Sequence, residues 1–134
     1  MASSSASLHE SPSKLRPETI DHHRAVVSLM EELEALDWYD QRVDATDDPE
    51  LRAILIHNRD EEKEHAAMVL EWIRRRDPRL DEELRKYLFF EGSISELAEA
   101  ERAAEEQEAA GGATPSSNGD GSLGIGSLRG DGYE

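Results

Sequence analysis

The sequence contains no cysteine. Disulfides, cysteine-rich zinc sites and iron–sulfur clusters are therefore excluded as sources of stability or chemistry. Positive charge is also scarce: 15 Lys and Arg stand against 31 Asp and Glu, a formal net charge of −16 over 134 residues. A phosphate backbone would be repelled, which argues against nucleic acid as a partner and for cations and basic surfaces. Long apolar runs are missing too. None approaches the roughly 20 residues that a membrane span needs. Residues 1–16, MASSSASLHESPSKLR, are serine-rich without the apolar stretch of a secretory signal. These absences lead to the expectation of a cytoplasmic protein with no membrane or nucleic-acid contact.

What the chain does have is charge arranged along helices. Hydrophobic residues make up 37% and charged residues 34%, the balance of long solvent-facing helices. Residues 1–16 read as a disordered N-terminus. Pro17 then suits a first helical turn, where its missing N–H is not needed, and nothing breaks a helix before about Thr46. Asp48-Pro49-Glu50 restarts one, with Asp48 as N-cap, Pro49 at the first position and Glu50 facing the dipole. Asp77-Pro78 ends that second helix near Arg76. A link of a few residues between two long helices makes them antiparallel neighbours. Residues 80–90 read as a short amphipathic helix within a domain spanning 17–92. Residues 93–110 read as a weak, Ala-rich helix with Ser93 and Glu96 in capping-box spacing. Residues 111–134 read as a flexible linker and tail. The fold class is therefore all-α: an antiparallel two-helix hairpin with a short C-terminal helix. A core of roughly 75–95 residues is small enough that pairing with a second copy into a four-helix bundle is the natural way to bury its apolar stripes.

At alternating spacings of three and four, Ala25, Leu29, Glu32, Leu36, Tyr39 and Val43 form one stripe on the first helix. Leu51, Leu55, Asn58, Glu62, His65, Val69 and Trp72 form one on the second. A competing placement would centre the seams on Val26, Met30 and Leu33 and on Ile54 and Met68, leaving Glu32 and His65 exposed. On the first placement Glu32 and Glu62 lie at matched depth, roughly 21–24 Å from the turn. Glu32, Glu62 and His65 then converge, and one chain supplies half of a recurring bundle site. That site takes one Glu from each of two helices and a Glu-x-x-His from each of two others. A symmetric dimer completes the set. Buried carboxylates together are costly unless cations neutralise them, and oxygen donors with one imidazole per metal suit iron or manganese without excluding zinc. Tyr39, two turns from Glu32, is a candidate neighbour of the centre. Glu31 and Glu34 lie on the outward side of the same turns as a possible cation relay. His57 and Glu61 read as a surface pair, His22 and His23 have no matched partner, and Trp38 and Trp72 read as packing anchors.

The run SLMEELEALDWYDQRVDATDDPELRAILIHNRDEEKEHAAMVLEWIRR at 28–75, continuing through KYLFFEG at 86–92, resembles the encapsulated ferritins. The WYDQR segment, the DPEL helix start and the EEKEHA block carry the resemblance. It implies two-helix subunits that dimerise into a ferritin-like bundle around a di-iron site and assemble into a ring-shaped decamer. It also implies ferroxidase activity that feeds mineral to a surrounding encapsulin shell, and so a location inside that nanocompartment. By position, Glu32, Glu62 and His65 match the di-iron ligands, Tyr39 a tyrosine beside them, and Glu31 and Glu34 a secondary or ingress metal site with Trp38 close by. The cofactor implied is iron, two ions per dimer interface, with zinc, manganese or calcium able to substitute. Residues 121–130, GSLGIGSLRG, look like a peptide that would lay Leu123, Ile125 and Leu128 into a groove on the shell wall. The competing functional reading is a non-catalytic helical assembly module that metal merely stabilises.

Overall fold

The computed structural model describes residues 6–112, which are helical with no strand among them. A short 3-10 turn at Pro12–Lys14 precedes α1 (Pro17–Ala45), α2 (Pro49–Arg76), α3 (Pro78–Tyr87) and α4 (Ile94–Gly111). The expected disorder of residues 1–16 is corrected over the turn. Pro12 fixes φ at a turn-forming value, and Lys14 N–H donates to Ser11 O at 2.9 Å. The expected tail beyond residue 112 and the first five residues lie outside the described residues.

Proline opens each of the first three helices, at Pro17, Pro49 and Pro78. Asp48 caps α2 by accepting from Leu51 N–H at 2.8 Å. Asp77 does the same for α3, accepting from Leu80 N–H at 3.0 Å. Asp77-Pro78 therefore ends one helix and starts the next, so α3 begins at Pro78 rather than near residue 80. The fourth helix begins as its capping residue indicates, with Glu96 N–H donating to Ser93 Oγ at 3.4 Å. It belongs to a separate compact unit that starts at Glu91.

The hairpin closes through Thr46, Asp47 and Asp48. Arg52 reaches back from α2 to satisfy carbonyls that the end of α1 leaves open: its Nε donates to Val43 O at 3.2 Å, and its guanidinium also bonds Thr46 O. One heptad further along α2, the Arg59 guanidinium donates to Asp40 on α1 at 3.1 Å. Ala66 and Ile73 continue the same row of α2 and are buried at 8% and 3% exposure, as is Val43 on α1 at 9%. The seam inside the hairpin thus runs through Arg52, Arg59, Ala66 and Ile73. On α1 the seam follows the stripe read from the sequence, with Val43 buried and Ala25, Leu29, Glu32, Leu36 and Tyr39 half-buried; on α2 that stripe lies on one flank of the seam, with Leu51 46% exposed. The rival seam fares worse, since Met30, Leu33, Ile54 and Met68 are all exposed.

An arginine clamp sets α3 against the end of α2. Arg74 grips Glu71 bidentately at 2.6 and 2.7 Å and also bonds Asp81 of α3. Arg75 adds a bond to Glu71 and Arg85 a bond to Asp81. The arginines hold the Glu71 carboxyl down to about 2 and the Asp81 carboxyl below its ordinary value. Ionised carboxylates make the clamp, so its contribution is complete above the ordinary carboxylate range and is lost as pH falls through about 2. Replacing Arg74 with Ala should raise hydrogen exchange across Leu80–Tyr87 at neutral pH while leaving Ala53–Ala66 unchanged. Equal protection of α3 in both proteins would show that the clamp does not hold it.

Candidate metal centre

Both helices are unbroken where the three central side chains sit, so their relative positions follow from the register that the turn and Arg59 impose. His65 Nδ1 stands 3.4 Å from Glu62 Oε2 and 3.6 Å from Glu32 Oε2. One donor atom from each residue falls within a mutual span of 4.8 Å, and among the described residues this is the one such group of three or more. The side chains of Glu62 and Glu32 are 20% and 27% exposed, and that of His65 is 50% exposed. The cluster therefore opens off the hairpin rather than into a closed core.

The two carboxylates disturb each other. A hydrogen bond with Glu62, partial burial and the Glu62 charge push the Glu32 carboxyl above its ordinary range, and His65 offsets only part of this. Glu62 thus favours the protonated form of Glu32. His65 is raised in turn, chiefly by its hydrogen bond to Glu62 and then by the charges of Glu32 and Glu62. A dication answers the same need as that proton and with greater charge, and two carboxylates plus one imidazole are a fitting donor set for iron, manganese or zinc.

The other sequence candidates are placed differently. Tyr39 is half-buried about 10 Å along α1 from Glu32, with the Arg42 guanidinium 5.4 Å from its ring centre. Glu31 and Glu34 are exposed and join no metal-capable group among the described residues, and Trp38 is 49% exposed. His57 and Glu61 form an exposed pair at 3.0 Å. His22 lines a shallow groove with Glu18, Asp21, Trp72 and Arg76, where Arg76 stacks 3.9 Å over the Trp72 ring. The sequence reading passed over Arg59 and Asp40, which link the helices one turn from Glu62. The available signal was the seven-residue spacing of Arg52, Arg59, Ala66 and Ile73.

Residues 7–91 match the sequence profile of the EncFtn-like family. The chain belongs to that family. This EncFtn-like protein is 62% identical over 133 residues to the encapsulated ferritin-like protein of Rhodospirillum rubrum, covering 98% of this chain and 94% of that one. It is 50% identical over 117 residues to a ferritin-like protein of Thermotoga maritima, covering 87% and 93%. It is 40% identical over 79 residues to the encapsulin nanocompartment cargo protein EncC of Myxococcus xanthus, covering 55% of this chain and 61% of that one. Among solved structures, the crystal structure of protein ne0167 from Nitrosomonas europaea superposes with a TM-score of 0.64 at 62% identity, over 65% of this chain and 96% of that one. No helix among the described residues is long and apolar enough to cross a membrane.

The electrostatics of this EncFtn-like cluster give a testable titration. In the metal-free protein, the His65 ring should titrate above an ordinary histidine by NMR. Glu62→Ala should lower its midpoint, because Glu62 is the main cause of the shift. Only the neutral ring can ligate, so metal affinity should fall as pH drops through that midpoint. A Co²⁺ titration across pH 7 and below, read as about one log unit of affinity lost per proton displaced, checks the sign. A flat profile would remove His65 from the ligand set.

Proposed function

We propose that this EncFtn-like protein is a ferroxidase, oxidising Fe²⁺ to Fe³⁺ with dioxygen at a di-iron site completed between two copies of the chain. The supporting observation is the convergence of Glu32, Glu62 and His65 across the two helices, with His65 half open to solvent, on a hairpin that leaves Leu51, Ile54 and Met68 exposed. A second hairpin laid over the cluster by two-fold symmetry would cover exposed apolar side chains. It would also double the donor set to four carboxylates and two imidazoles. Ferrous iron is the substrate here and dioxygen the acceptor of its electrons.

The residues present define what the protein contributes. Glu32 and Glu62 supply negative charge that favours a dication and, after oxidation, a trication. A proton on Glu32 would compete with the ion. His65, once neutral, offers the nitrogen donor. Tyr39 is positioned as a neighbour along α1, and Glu31 and Glu34, with Trp38 beside them, as an outer acidic ingress on the opposite face. Zinc, manganese or calcium would satisfy the same donors without redox turnover.

The dimer is the unit of a larger ring, a decamer by family resemblance. Residues 121–130, outside the described residues, carry it to an encapsulin shell; association with such a shell is supported by its similarity to an encapsulated ferritin-like protein of Rhodospirillum rubrum and an encapsulin nanocompartment cargo protein of Myxococcus xanthus. The protein would then act inside a cytoplasmic nanocompartment and feed iron to the mineral stored there. The rival reading, a non-catalytic metal-stabilised assembly module, draws on the exposed apolar side chains alone.

Anaerobic loading with Fe²⁺ followed by air should give a rapid rise in ferric absorbance. In Glu32→Ala the initial rate should fall at least about tenfold, the lower figure for disturbing even an outer-shell partner of a metal site. Equal rates in both proteins, with assembly intact, would leave the assembly module standing. Deleting residues 121–130 should leave this oxidation unchanged and abolish co-purification with a co-expressed encapsulin shell protein. Retained loading would move the targeting signal elsewhere in the chain.

A further inference from the structure

We propose that Arg59 is the positioning residue of the metal centre, acting through Asp40 to hold α1 and α2 at the rotation and spacing that bring Glu32 onto Glu62 and His65. This rests on the reading of that cluster as a metal site. Arg59 lies one helical turn before Glu62 on α2, with its side chain 22% exposed. Its guanidinium is fixed at two points: one terminal nitrogen donates to Asp40 Oδ1 across the hairpin at 3.1 Å, and Nε donates to Asp60 Oδ1 at 3.2 Å. Lys63 holds Asp60 from the other side at 3.0 Å. The fork geometry of the guanidinium makes this a directional link rather than a loose charge contact.

The need for such a link follows from leverage. The three-residue turn fixes where the helices begin, but the cluster lies about 22 Å away along them. A splay of about 10° at the turn would separate the helices by roughly 4 Å at that depth. A metal site tolerates displacements of only about 0.5 Å. Between turn and cluster no residue of α2 is fully buried: Arg52 and Arg59 occupy the row that Ala66 and Ile73 fill further on, and Leu55 and Ile56 are only half-buried. Among the ion pairs of the described hairpin, Arg59 to Asp40 and His65 to Glu32 are the two that join α1 to α2. The second of these belongs to the cluster itself and gives way to metal. Arg59 to Asp40 is the one that persists when the site is loaded.

Co²⁺ binding, read by visible absorption on the intact chain, tests this apart from turnover. Arg59→Gln should weaken binding about ten- to hundredfold, the range for outer-shell partners, at a temperature where helix content and particle size match the wild type. The charge swap Asp40→Arg with Arg59→Asp should recover most of that loss, which a generally destabilised hairpin would not do. Arg79→Gln, which removes an exposed ion pair within α3, should bind as wild type. Wild-type affinity in Arg59→Gln beside lost affinity in Glu62→Ala would overturn the positioning role and leave the site intact. Wild-type affinity in both would overturn the site, and the positioning role with it. A loss in Arg59→Gln that the swap fails to recover would also overturn the proposal.

Discussion

Glu32 and Glu62 are two carboxylates on separate helices held close enough to share a proton, and that contact sets the terms for the rest of the hairpin. Like charges at this separation disfavour the folded arrangement unless something neutralises them. His65 does so in part, and its own raised affinity for a proton is the reciprocal of that service. Protons and a dication therefore compete for the same three side chains, so metal binding is coupled to proton release.

The hairpin is otherwise thinly held. Three buried apolar residues, Val43, Ala66 and Ile73, make up its core, while six large apolar side chains of α1 and α2, Met30, Leu33, Trp38, Leu51, Ile54 and Met68, stay exposed. Polar links carry much of the geometry instead. Arg52 closes the turn, Arg59 ties the helices at mid-length and Arg74 sets α3. Surface ion pairs contribute little stability each, but a directional guanidinium fork specifies geometry beyond its energetic weight. Such a chain can fix where its side chains point while leaving a large apolar area for a partner.

Helix boundaries were legible because Asp-Pro pairs leave few choices: an N-cap carboxylate and a residue that can only begin a helix. The depth match of Glu32 with Glu62 and His65 was legible because a short turn makes sequence distance a ruler. The phase of the seam was legible on α1, where the expected stripe holds buried Val43, and not on α2. A hairpin that presents apolar residues both to its own second arm and outward has a broader apolar arc than one stripe. The spacing rule therefore landed on the flank carrying Leu51, His65 and Trp72 rather than on the row through Ala66. Arg59 escaped notice for a related reason. Its partner is 19 residues away, and the seven-residue row it shares with Arg52, Ala66 and Ile73 mixes charged with apolar side chains, which a search for apolar spacing passes over. The 3-10 turn at Pro12–Lys14 was masked by serine-rich composition, which reports average polarity and not the conformation that one proline imposes.

The hairpin that carries the cluster also leaves Leu51, Ile54 and Met68 exposed, and this coincidence couples two equilibria. A second copy placed there would bury apolar surface and complete the ligand set in one step, and a bound ion would stabilise the paired state over the single hairpin by its differential affinity alone. By reciprocity, pairing would raise the affinity for the ion by the same factor. A chain with so small a private core gains most from that coupling. The site needs a partner to be whole, and the partner interface needs the site's charges neutralised before its apolar border can close over them.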